Sequence, residues 1–177
     1  MVRLVLFMVI AAVATAIYLG LAIHVITRNP RRAISWVFAG FCATIVGYFL
    51  TSLFLFPGVE TATSATPFSL RLKWAAGSFS ATFYLHLASF YFPPTWRRGR
   101  PWLLLPAYVI SAGFCLAALF TDLLVAGPLY RPLPNIIGPL PGPWMNAFAA
   151  FFLTEVVVGT TGIVTSYRTT LSPSIRR

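Results

Sequence analysis

The sequence predicts an all-α integral membrane protein, an antiparallel bundle of five transmembrane helices, and three observations predict it. Hydrophobic residues make up 58% of the chain and charged residues 9%, whereas soluble domains carry roughly 25% charged residues. The apolar residues fall into five runs, at about 2–27, 33–56, 71–92, 101–125 and 144–167, each long enough to cross a hydrocarbon core of about 30 Å. The 13 basic and 3 acidic residues give a net charge of +10, yet the basic ones sit almost wholly at the ends of those runs. That pattern orients membrane spans; a nucleic-acid binder would show a basic stripe interleaved with aromatics. The 177 residues therefore read as one transmembrane domain, 1–177.

The first run opens at Arg3, and its Ala14-Thr15-Ala16 tripeptide imitates a signal-cleavage site. The run nevertheless continues to Ile26, which makes it a span and not a leader. Ala12, Ala16, Gly20 and His24 recur every four residues, a small-residue stripe that predicts a face for close helix packing. The turn from Arg28 to Arg32 leads into a second span that carries Gly40, Thr44, Gly47 and Thr51 on one face. Pro57 to Leu70 is a polar connection whose one acid is Glu60.

In the third span Ser78, Thr82, His86 and Ser89 follow at steps of four, four and three, so they share one helical face. Pro93 and Pro94 end it, and Arg97, Arg98 and Arg100 follow. The fourth span aligns Ala107, Ser111, Cys115, Ala118 and Asp122. Six prolines between Pro128 and Pro143 exclude regular helix and predict a semi-rigid extended loop capping one mouth of the bundle. The fifth span aligns Glu155, Gly159, Gly162 and Ser166.

Orientation follows from counting. With the amino terminus outside, Arg28, Arg31, Arg32, Arg97, Arg98, Arg100, Arg168, Arg176 and Arg177 face inward, against Arg3, Arg71, Lys73 and Arg131 outward. This predicts a cytoplasmic carboxyl terminus in the inner membrane of a bacterium. Trp36, Trp96 and Trp102 fall at the inner edge, and Trp74 and Trp144 at the outer, as interface anchors do.

Glu155 is the most informative residue. It precedes Arg168 by 13 positions, about 20 Å of helix, which places it near the middle of the membrane. A charge there costs roughly 3 kcal/mol and marks a functional or paired site; the alternative is a carboxyl hydrogen-bonded to a neighbouring Ser or Thr. His24 and His86 both fall in the inner half and are candidates to face each other, either within a polar core or, less simply, as haem ligands. Asp122 lies at the outer end of the fourth span, as a ligand contact or a plain helix-end carboxylate. Cys42 and Cys115 lie inside apolar runs and read as small packing residues. No nucleophile triad, phosphate loop or metal-ligand spacing is present in the sequence, so no catalysis and no metal site are expected.

The segments TRNPRRAISWVFAGFCATIVGYFLTS, LHLASFYFP and SPSIRR together resemble the amino-terminal seven-helix membrane region of bacterial sensor histidine kinases and related signalling proteins, over nearly the whole chain and with five spans in place of seven. The resemblance implies a membrane sensory module, with His86 and Pro93 as motif positions and Arg176 and Arg177 at the inner boundary. A second expectation, from a different class, is a non-catalytic structural subunit of a larger respiratory or photosynthetic complex. Membrane lipids and other membrane helices, in a homodimer or a larger complex, are the expected partners, and nucleic acid is not.

Overall fold

A computed structural model describes residues 2–55, 68–133 and 136–175. Glu60 with most of its polar connection, and the terminal Arg176 and Arg177, lie outside the described residues. Helices α1 (Val2–Arg28) and α2 (Ala33–Leu55) match the first two predicted spans. They are followed by α3 (Phe68–Gly77), α4 (Ser80–Ser89), the single turn α5 (Pro94–Arg97) and α6 (Arg100–Phe120). Strands β1 (Val125–Leu133) and β2 (Ile136–Pro141) then precede α7 (Met145–Ile175). Among the described residues the fold is thus helical apart from one hairpin, and four helices, α1, α2, α6 and α7, are long and apolar enough to cross a membrane.

The third predicted span is divided. Gly77 and Ser78 interrupt it: the Ser78 amide is shared between the carbonyls of Trp74 at 3.0 Å and Ala75 at 3.3 Å. The Ser78 hydroxyl donates to the same Trp74 carbonyl at 2.9 Å. A glycine of low helix propensity beside a serine that competes for backbone groups is sufficient cause for the break. Each half has 10 residues, about 15 Å, and crosses nothing alone.

Helix α6 stops at Phe120, five residues before the expected end. Thr121 turns extended, its hydroxyl accepting from the Leu123 amide at 3.2 Å and donating to the Ala117 carbonyl at 2.7 Å. Leu124 and Val125 then dive into the core, fully buried. The proline-rich stretch beyond them is a two-stranded antiparallel pair, not a plain loop. Its register slips twice, as expected where prolines remove ladder donors.

Packing is sequential at first: α1 lies on α2, and α2 lies on α3 and α4. Beyond that α4 is central, touching α6 and α7 as well. The predicted small face of α2 meets this centre, with Gly40 against the Phe83 ring and Gly47 against Ala76. A side chain at Gly40 would approach that ring to 2.6 Å. The predicted stripe on α1 does not pack. Ala12, Ala16, Gly20 and His24 are all exposed, and the buried or half-buried line is Ala11, Thr15, Tyr18 and Ala22. Steps of four, three and four keep that line on one face. One apolar cluster joins Leu70, Phe114, Leu124 and Phe148 at one end of the bundle; another joins Leu85, Ala88, Phe92 and Leu104 toward the other.

Candidate functional site

Between those two clusters three helices meet on polar atoms. Thr82 of α4, with no exposed surface, lies 2.6 Å from the Ser111 hydroxyl of α6 and 2.9 Å from each carboxyl oxygen of Glu155 on α7. Glu155 itself is 4% exposed. The α7 backbone comes this close because its glycines face α4. Gly159 sits against Tyr84 and Ala88, and Gly162 against Phe92. Tyr84 and Thr160 add a hydroxyl pair at 2.9 Å.

Thr82 has one proton to give and two lone pairs, so the chain of bonds has a direction. Toward an ionised Glu155, Ser111 donates to Thr82 and Thr82 donates to the carboxylate. From a neutral Glu155, the carboxyl donates to Thr82 and Thr82 donates to Ser111. One hydroxyl therefore links three helices in two alternative arrangements. Among the described residues the one ion pair is Arg71–Asp122, so no cation takes part in the site.

One turn away lies a second pair, His86 Nδ1 with the Tyr108 hydroxyl at 2.9 Å. The imidazole stacks on Phe90 with ring centres 5.5 Å apart, and the Arg100 guanidinium lies 4.0 Å from the centre of the Phe90 ring. His86 thus belongs to the interior beside α6. His24 does not meet it: it is exposed on α1, which packs on α2. The structure does not bring the two histidines together as a facing pair. Among the described residues no three His, Cys, Asp or Glu side chains gather as metal ligands.

Asp122 is a helix-end carboxylate. Its Oδ1 accepts from Arg71 Nη2, while Arg71 Nη1 donates to the Thr121 carbonyl at the end of α6. A guanidinium on the last carbonyls of a helix is a favourable C-terminal cap. Of the predicted anchors, Trp36, Trp96, Trp102 and Trp144 are exposed. Trp74 instead packs inward, edge-on to Phe148 at 6.0 Å, and its buried indole N–H has no acceptor among the described residues. Tyr108 went unnoticed in the sequence, and Arg71 counted there only as an outward-facing charge. Tyr108 carried a usable signal, since it lies three residues before Ser111 on the same face.

An open groove of about 390 Å³ between α6 and α7, lined by Ile110, Gly113, Phe114, Trp144 and Ala147, is wholly apolar and offers no chemistry. No known protein family, curated protein or solved structure matches the chain.

Proposed function

We propose that the chain is a non-catalytic sensory input module of five antiparallel membrane crossings, of the kind that precedes the output domains of bacterial sensor histidine kinases. In this reading α3 and α4 together form the third crossing, about 33 Å over residues 68–89. Its amino terminus is outside and its carboxyl terminus cytoplasmic, in the bacterial inner membrane. The contacts support the alternation. Tyr48 beside Gly77 and Gly40 beside Phe83 run α2 against α3 and α4. Arg71 with Asp122 and Thr82 with Ser111 run α6 the same way. Trp74 with Phe148 and Thr82 with Glu155 run α7 alongside.

The observation that carries the reading is the single Thr82 hydroxyl bonded to both α6 and α7. An element with two bonding arrangements is what a signal needs to bias. The helix break at Gly77–Phe79, one turn before Thr82, lets α4 shift without α3. Spin labels at Thr95→Cys and Tyr167→Cys, in a chain with Cys42 and Cys115 replaced by alanine, report the distance between the turn α5 that follows α4 and the later part of α7 in lipid. Glu155→Gln replaces the carboxyl, whose ionisation sets the direction of the hydroxyl chain, by an amide that cannot ionise, and is expected to move that distance distribution; an unchanged distribution would sink the sensory reading.

The second reading, a structural subunit, is favoured by α1, whose apolar side chains stay exposed nearly all round while it packs chiefly on α2 among the described residues. Gentle detergent extraction followed by intact mass separates the two. Fixed-ratio partner chains favour the subunit, and a single species or homodimer favours the sensor.

A further inference from the structure

We infer that the end of the bundle around the α4–α6 connection is a docking surface for anionic phospholipid. This rests on the membrane-spanning reading of the helices and not on the sensory one. Arg97 and Arg98 are exposed and Arg100 half-buried. Two of the three are held in place: Arg97 Nε donates to the Phe92 carbonyl at 3.0 Å, and Arg100 lies on the Phe90 ring. The contacts of Gly40 with Phe83 and of Gly162 with Phe92 bring the exposed Arg28, Arg31 and Arg32 turn, and Arg168 of α7, toward the same end. Among the described residues nothing acidic answers them. Of the two described carboxylates, Glu155 is buried among hydroxyls and Asp122 is taken by Arg71 at the far end of α6. A cluster of arginines with no partner carboxylate suits a phosphate, which guanidinium groups bind through paired N–H donors.

What selects a lipid over other polyanions is the surface that continues from the arginines. Trp102 is 82% exposed, and Leu105, Val109, Gly113 and Leu116 follow it at steps of three or four, all exposed. They form one outward stripe along α6 about 21 Å long, enough for an acyl chain of one leaflet of a core about 30 Å thick. The headgroup phosphate lies at the arginines, the glycerol level at the Trp102 indole, and the chain along the stripe. A nucleic acid would use the first part and leave the second bare.

The test uses the purified full chain in vesicles of equal parts phosphatidylglycerol and phosphatidylcholine, re-extracted in mild detergent, with retained lipid counted by native mass spectrometry. The wild type is expected to retain phosphatidylglycerol preferentially. Arg97→Gln, Arg98→Gln and Arg100→Gln combined lower that affinity about a hundredfold, roughly fivefold for each arginine. Arg98→Gln alone, which breaks no side-chain bond among the described residues, gives the single step. Lys73→Gln, toward the Asp122 end of the bundle, leaves retention unchanged. Equal retention of the two lipids, or a triple variant that keeps phosphatidylglycerol, overturns the proposal. So does its displacement from the wild type by a short DNA duplex at comparable affinity, which would make the arginines a general polyanion site. If the lipid preference holds while the spin-label distances ignore Glu155→Gln, the lipid surface stands and the sensory reading falls.

Discussion

Asp122, at the end of α6, is 68% exposed and meets the guanidinium of Arg71; Glu155, inside the bundle, is 4% exposed and meets one hydroxyl. The same functional group is handled by charge pairing where water reaches it and by directional hydrogen bonding where water does not. The difference teaches where this fold can be changed cheaply. An exposed ion pair contributes about 0–1 kcal/mol and is screened. A buried polar network is tight when complete and costly when one member is removed.

The region around Asp122 should therefore draw its rigidity from backbone fit and not from its ion pair. Gly142 tests this most strongly. A methyl group there would come within 2.5 Å of the Asp122 carbonyl oxygen, and backbone cannot step aside as a side chain can. Gly142→Ala is expected to cost about 3 kcal/mol, read as a lowered midpoint of unfolding in detergent. Next comes the interior. Thr82→Val keeps the shape but strips a hydroxyl from both Ser111 and Glu155, for an expected loss of about 2 kcal/mol, while Thr82→Ser restores most of it. Arg71→Gln removes the cap on the Thr121 carbonyl together with the ion pair, for about 1 kcal/mol. Asp122→Asn removes the ion pair alone and should cost less than about 0.5 kcal/mol, a loss that shrinks further in high salt. Should Asp122→Asn prove as damaging as Thr82→Val, the contrast between the two carboxyls would collapse.

Much of this architecture was legible in the sequence, for reasons the residues make plain. Spans of more than 20 apolar residues announce themselves by length, and so did α1, α2, α6 and α7. The polar faces of the third, fourth and fifth spans were legible by period alone, and Thr82, Ser111 and Glu155 are each buried on the predicted face. Their meeting was nearly legible too. Thr82 and Ser111, like His86 and Tyr108, lie almost equally far on either side of Arg97, as facing residues of a helical hairpin must.

Period failed on α1. Its composition is apolar all round, so nothing distinguished the stripe of Ala12 and Gly20 from the face through Ala11 and Tyr18 that packs. His24 was misjudged with it. The break at Ser78 was hidden because glycine and serine are common in membrane helices, and only the shared Trp74 carbonyl shows the interruption. Trp74 read as an interface anchor from its position beside Lys73, whereas its ring turns onto Phe148; rotation about a helix axis is set by neighbours that lie far away in sequence.

The central claim is that Thr82 and Glu155 act as one unit holding α4 to α7. A double-mutant cycle of Thr82→Val and Glu155→Leu, neither of which can keep the hydrogen bond, read as unfolding free energy in lipid or detergent, measures it directly. A coupling of about 1–2 kcal/mol between the two substitutions is expected. Strict additivity, with each change costing the same in the presence or absence of the other, would contradict it.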